Sequence, residues 1–452
     1  MKIGYIASHL YRHTFEINEV AELVARRPRT RVYSFYRRGG SEIQSDRLNE
    51  LPVEIVTQSF GSLASGLVAL AAHHPLRLLG AAFELAVRSL PNPVYWFKNA
   101  LAFLIAMPIL DDARRHRVTH LHANFGSSPA TVAWLGNRIL GTTMSVTFHA
   151  FDIYYSGLSH RDPLKHRKLR DADLVVAVHR HGLEYLHALV PDVSRDKFQV
   201  IRISVVLEPT GGDGSRRAEP ISPSETGRPL LVAAGNLIHK KGFDVLVRAA
   251  GILARDGVDV RIRILGEGPE RHSLKSLVSA EGVGDRVELP GFYQHSELAG
   301  HLAEASALVM PSRIAPGGQR DGIPTVVVEA WLAGVPVVAS LVGGMAEVIV
   351  EGKTGLVFEP EDAGALAARV RDLLESEELG RSLVRGGSKT AVEEFSPQIN
   401  VEKLLREIDS IGLALTPQVG NHQAGGDEDP REVTKFDVGE QTTDHAGDER
   451  DH

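Results

Sequence analysis

The chain has 452 residues, too many for one ordinary core, since domains run roughly 100 to 200 residues, so two domains are expected. It contains no cysteine, which excludes disulfides, zinc–thiolate sites, iron–sulfur clusters and thiol nucleophiles together. The formal charge of −7 is carried by residues 417–452, where ten acids face three bases, and the formally neutral remainder has no net-charge signature of nucleic-acid binding.

The opening MKIGYIASHLYRH reads as a first β-strand. Its apolar run ends at Ser8 and His9, short of a signal-peptide core of about 7 to 15 residues. No uninterrupted apolar run approaches the 18 or so residues of a membrane span, so the chain reads as cytoplasmic, either soluble or bound to a surface. In the first half KIGYIA, RVYSFY, VTHLHA, MSVTFH and LVVAV have strand length and alternate with helical patterns. That alternation predicts a parallel sheet wrapped on both faces.

Residues 59–110 interrupt the alternation with LVALAAHHPLRLLGAAFELAV and NPVYWFKNALAFLIAMPIL. Glu84 is their only acid, against Arg77, Arg88 and Lys98. Long apolar helices with sparse cations and a Tyr-Trp-Phe cluster suit a helix lying on a bilayer surface or gripping a polyprenyl chain. Buried core helices account for the same pattern.

At residues 208–229, EPTGGDGSRRAEPISPSETGRP replaces the apolar pattern with Gly, Pro, Ser and charge, as expected of a linker. The predicted layout is a first domain over 1–207 and a second over 230–394. A C-terminal helix over 395–416 and a disordered acidic tail over 417–452 follow. In the second half LLVAA, VRIRIL, RVEL, ALVMP and VPVVAS resume the alternation. Two doubly wound α/β domains in tandem leave a cleft between the C-terminal edges of their sheets, where ligands bind in such folds.

The loop GNLIHKKGFD after LLVAA joins Gly235 and Gly242 to Lys240 and Lys241, with a helix starting at Phe243. This suits an anion site at a helix N-terminus, or an ordinary surface loop with two solvated lysines. GEGPE, with Gly266, is a second Gly-rich strand-to-helix turn. In DGIPTVVVEAWLAGVPVVAS, Asp321 and Glu329 stand with seven residues between them in an otherwise apolar run. Pro324 suits the first turn of a helix and Gly334 its end, which sets Glu329 mid-helix. Three consecutive valines are poor helix formers, so packing must hold the segment helical. Glu329 then faces either water or a ligand.

The second half resembles the family 4 glycosyltransferases of the GT-B fold, with GNLIHKKGFDVLVRAA, ILGEGPE, VELPGFYQHSEL, ALVMPS, DGIPTVVVEAWLAGVPVVAS, GGMAEVI and EGKTGLVFEPED in the family's order. In the first half THLHANFG and SVTFHAFDIYY, and more loosely TFEINE, resemble the subgroup that builds bacterial exopolysaccharides of the colanic-acid type. The resemblance implies two Rossmann-like domains facing a cleft. It implies a retaining, metal-independent hexosyl transfer from a nucleotide-diphosphate sugar, UDP- or GDP-linked, with no other cofactor. The implied acceptor is a polyprenyl-linked glycan at the cytoplasmic leaflet, and nucleic acid is not a partner. Glu329 matches the acid that holds the donor's ribose. Asp321 matches the acid at the transferred sugar, with Gly322, Ile323 and Pro324 around it. Lys241 matches the cation on the diphosphate, beside Gly235 and Gly266, and His149 matches a first-domain histidine across the cleft. Four positions depart from the pattern: Asn236 stands where the family has arginine, Asp321 replaces glutamate, ISVVLEP replaces a Gly-Val-Asp turn, and Ala346 replaces proline. The alternatives are a sugar-nucleotide epimerase of the same fold and a non-catalytic partner subunit.

Overall fold

Near-continuous apolar strands such as LLVAA can be buried on both faces only in a parallel sheet covered by helices, and every pairing between named strands in this molecule is parallel. The computed structural model describes residues 1–7, 10, 13–35, 55–56, 60–155, 161–207 and 227–415. Most of the predicted linker and the whole acidic tail lie outside the described residues. Met1–Leu413 forms one compact unit.

The first sheet is built from β1 (Ile3–Ala7), β2 (Arg31–Ser34), β3 (Ile55–Val56), β4 (His120–Asn124), β5 (Thr143–Phe148), β6 (Leu174–Ala177) and β7 (Phe198–Val200), in the order β3-β2-β1-β4-β5-β6-β7. The second contains β8 (Leu230–Ala234), β9 (Arg261–Leu265), β10 (Val287–Gly291), β11 (Ala307–Met310), β12 (Val337–Ser340) and β13 (Leu356–Phe358), in the order β10-β9-β8-β11-β12-β13. The strand order reverses between β1 and β4 and between β8 and β11, the switch points where doubly wound sheets open a crevice. The strands missing from the sequence reading, β3, β7 and β13, have two or three residues each. They are edge strands too short to carry a period.

The helices of the first half are α1 (Thr14–Arg26), α2 (Phe60–His73), α3 (Pro75–Ser89), α4 (Pro93–Arg115), α5 (Ser128–Leu140), α6 (Ala150–Tyr154), α7 (Lys165–Asp171) and α8 (Arg180–Ala188). Those of the second are α9 (Phe243–Arg255), α10 (Arg271–Ala280), α11 (His295–Ala303), α12 (Thr325–Leu332), α13 (Ala363–Glu375), α14 (Glu377–Phe395) and α15 (Pro397–Leu415). The last helix crosses back to the first sheet: Val401, Leu404 and Ile408 share a core with Ile3, Tyr5 and Ile17. Arg27 pairs there with Asp409 at 2.5 Å.

Among the described residues helix α4, at 23 residues, is long and apolar enough to cross a membrane by length and composition, although Lys98 and Asn99 interrupt its apolar run. Its second half is nonetheless core. Ile105 through Leu110 are buried, and α2 packs so closely that a Cβ on Gly66 would lie 2.6 Å from the Pro108 nitrogen.

Candidate active site

The strand β8 ends at Ala234, and the chain runs from Gly235 into a short 3-10 turn over His239–Lys241 before α9 begins. Gly242 takes φ +64° there, and a Cβ on it would collide with the Pro311 carbonyl oxygen. A Cβ on Gly266 would likewise strike the carbonyl of Gly235. Glycine at these positions therefore lets three strand ends approach backbone to backbone, which is what the Gly-rich turns suggest.

The turn sends two consecutive lysines toward one acid. Lys240 Nζ lies 2.6 Å from Asp321 Oδ1 and Lys241 Nζ 2.8 Å from Asp321 Oδ2. Ser312 Oγ donates to Asp321 Oδ2 at 3.3 Å. Burial alone would raise the Asp321 carboxyl, which is 6% exposed, but Lys241 and Lys240 outweigh it and hold it at about 2. The lysines are thus not solvated surface cations. Asn236, where the resemblance implies arginine, is exposed. Lys240, by contrast, brings a second ammonium to the loop.

Past Asp321, Gly322 and the buried Ile323 lead to Pro324, the N-cap of α12. Val326, Val327, Val328, Ala330 and Trp331 are buried, so tertiary contacts override the poor helix propensity of the valines. Glu329 is 2% exposed, which removes the solvent-facing alternative. Its partner is His295 Nε2 at 3.6 Å, and burial pushes its carboxyl up to about 8. The two acids of this segment are therefore in opposite states at neutral pH: Asp321 ionised and paired, Glu329 mostly protonated.

The first sheet faces this loop with two histidines. His149 follows β5, and His179 lies just beyond β6, at the C-terminal ends of adjacent parallel strands. A Cβ built on Gly322 would lie 3.3 Å from His179 Cδ2 and 3.4 Å from the Ala150 side chain, so the His179 ring and the residue that follows His149 reach the Asp321 loop. His149 Nε2 donates to Asn124 Oδ1 at 2.5 Å. Asn124 in turn donates to the Tyr5 hydroxyl at 2.5 Å. Burial lowers His149 to about 3 and His179 to about 4, so both rings are neutral. The Phe125 ring lies 4.4 Å from that of His149, and Phe125 holds φ 83°, a strained value for a bulky residue.

All ten predicted positions lie on this wall of the second sheet or on the facing edge of the first. Glu329 lies inside α12, which starts four residues after Asp321, and it sits against His295 rather than the lysines. The sequence reading missed His179, the pairing of Lys240 with Asp321, and the cross-cleft pair in which the Arg320 guanidinium sits 4.5 Å from the Tyr154 ring centre. It also missed Glu347, which accepts from the Arg180 and His181 backbone N–H groups at 2.9 and 2.8 Å. Only the strand-end signal for His179 was available: like His149, it follows an apolar strand.

Residues 215–390 match the family model described as "Glycosyl transferases group 1". WcaL of Escherichia coli K12, a glycosyltransferase assigned provisionally to colanic acid biosynthesis, is 30% identical over 300 residues, which is 65% of this chain and 70% of that protein. A GDP-mannose-dependent alpha-(1-6)-phosphatidylinositol monomannoside mannosyltransferase of Mycolicibacterium smegmatis is 30% identical over 248 residues, 52% of this chain and 61% of that protein. Among solved structures, Anabaena HepE in complex with UDP-glucose superposes with a TM-score of 0.63 at 18% identity, over 91% of this chain and all of that chain. At that identity the likeness concerns the fold: two Rossmann-like domains in the GT-B arrangement.

Proposed function

Because the chain belongs to the group 1 glycosyl transferases, we propose that it moves a hexose from a nucleotide-diphosphate sugar, UDP- or GDP-linked, to a polyprenyl-linked glycan with retention at the anomeric carbon. The relatives' names motivate both ends of the range: one solved neighbour holds UDP-glucose and one relative uses GDP-mannose. The observation that carries the reading is a single ionised acid at the mouth of the second sheet, clamped by Lys240 and Lys241 and faced by the first-sheet edge.

In this reading the donor's diphosphate takes the ammonium groups, aided by the N-terminus of α9. Negative charge growing on the leaving diphosphate meets Lys241 and Lys240, which turn from Asp321 to the diphosphate and supply the compensating charge without a divalent ion. Losing the lysines frees Asp321 to accept hydrogen bonds from the transferred sugar. His149, neutral and fixed by Asn124, faces the sugar from the other sheet. Glu329 accepts from the ribose hydroxyls.

The division of labour is testable by calorimetry with the free nucleoside diphosphates and by single-turnover transfer. Asp321→Ala is expected to bind UDP or GDP at least as tightly as the wild type, since it no longer competes for the lysines, and to lose transfer. Glu329→Gln is expected to weaken both. Equal loss of diphosphate affinity in the two variants refutes the assignment. Conversion of the nucleotide sugar without any acceptor would favour an epimerase.

A further inference from the structure

Among the described residues, twelve of the twenty-one large apolar side chains that stay exposed lie between Leu67 and Leu104. They are arranged, not scattered. On α3, Leu76, Leu79, Phe83 and Val87, with Leu90 just past its end, are spaced three, four, four and three residues apart, one face of a helix. The opposite face, Leu78, Ala81 and Leu85, already packs into the core, so α3 is apolar on both sides. On α4, Val94, Phe97, Leu101 and Leu104 repeat the pattern with spacings of three, four and three. Leu76 is 83% exposed, Phe83 72% and Phe97 69%. A soluble surface rarely leaves such a patch uncovered.

Between α3 and α4 lies a cavity of about 270 Å³, lined by Leu85, Ala86, Trp96, Phe103 and Leu104 among others. Its polar members are internally satisfied. Asn99 Nδ2 donates to Ser89 Oγ at 2.9 Å, and Ser89 Oγ donates to the Leu85 carbonyl at 2.7 Å. What the cavity presents is therefore hydrocarbon, and apolar cavities of even about 150 Å³ stay dry and bind apolar molecules.

Charge selects the occupant. Glu84, the only acid from residue 60 to 110, is bound by Arg88 at 2.8 Å, Arg138 at 3.0 Å and Arg167 at 3.4 Å. Arg77 and Lys98 lie exposed beside the stripes. A second copy docking by two-fold symmetry would set this cationic rim against itself. An anionic bilayer would neutralise it. Because the second half of α4 is locked in the core, and α2 and α3 bend by 118° at their junction, the geometry suits a surface that lies on a bilayer rather than one that spans it.

We propose that α3 and the first half of α4 dock flat on an anionic lipid bilayer, inserting Leu76, Leu79, Phe83, Phe97 and Leu101 and admitting a lipid hydrocarbon chain into the cavity between them. This does not rest on the glycosyl-transfer reading.

The chain carries its own reporter, since of its three tryptophans Trp134 and Trp331 are fully buried and Trp96 is 46% exposed at the cavity. With phosphatidylglycerol–phosphatidylethanolamine vesicles the full-length protein should co-sediment, and its Trp emission should shift to the blue. Trp96→Phe should abolish the shift and keep the sedimentation. The variant Leu79→Asp/Phe83→Asp/Phe97→Asp, altered only at exposed positions, should lose partitioning at least tenfold while binding UDP or GDP as before. Equal partitioning into neutral phosphatidylcholine vesicles would overturn the anionic-lipid assignment. A protein that fails to sediment, and a dimer that the triple variant dissociates without any vesicle binding, would each overturn the proposal.

Discussion

Replacing Glu329 by glutamine removes a titration that the fold makes expensive. The carboxyl sits at 2% exposure with His295 Nε2 3.6 Å away, and burial pushes its ionisation from the ordinary 4.5 to about 8. Between those two values the folded chain holds a proton that the unfolded chain has lost, so stability falls as pH rises through that window and levels off above about 8. At ~1.4 kcal/mol per pH unit the full cost is ~5 kcal/mol. That corresponds to a fall in Tm on the order of 10 °C. Thermal unfolding from pH 5 to pH 9 should therefore decline more steeply in the wild type than in Glu329→Gln. Binding should be linked to the same proton. Ribose hydroxyls donating to Glu329 favour its charged form, so nucleoside diphosphate binding at pH 7 should release a proton. Calorimetry in two buffers of different ionisation enthalpy reads that release, and the glutamine variant should lack it. Parallel pH–Tm curves for the two proteins, or proton release identical in both, would refute the account of Glu329.

Asp321→Asn leaves two ammonium groups facing one another, so stability at pH 7 should drop by ~3–5 kcal/mol. The contribution of Asp321 is present above its ordinary 3.8 and lost as pH falls toward about 2, so acid unfolding between those values should be shallower in the variant. Lys240→Met and Lys241→Met should each weaken UDP or GDP binding about tenfold, the scale of one charge-assisted hydrogen bond, while Asn236→Arg should gain little, because Lys240 already provides a second cation. An effect confined to Lys241 in calorimetry would assign Lys240 to Asp321 alone. Lys168 is fully buried, donating to Asp162 at 2.6 Å and to the Ser127 carbonyl at 2.8 Å. Lys168→Met should therefore cost ~3–5 kcal/mol in denaturant unfolding by stranding a buried carboxylate.

Most of this architecture is legible in the sequence because its signals are local. Strands such as LLVAA and LVVAV declare a parallel sheet by being apolar on both faces, and Gly235, Gly242 and Gly266 mark the turns where backbones must meet. The order of motifs gives the family. What the sequence leaves open is decided by where side chains end up. Nothing in HKKGFD says that Lys240 joins Lys241 on one carboxylate. A short 3-10 turn ending in a left-handed glycine aims both lysines at a loop some eighty residues away in the chain. The state of Glu329 is likewise set by burial, since exposed and buried carboxylates have the same letter and pKa values several units apart. The apolar helices of residues 59–110 are equally ambiguous as sequence, because a stripe facing the core and a stripe facing outward share one period. Only packing decides: Leu78 and Leu85 go in, while Leu79 and Phe83, one and two positions away, stay out.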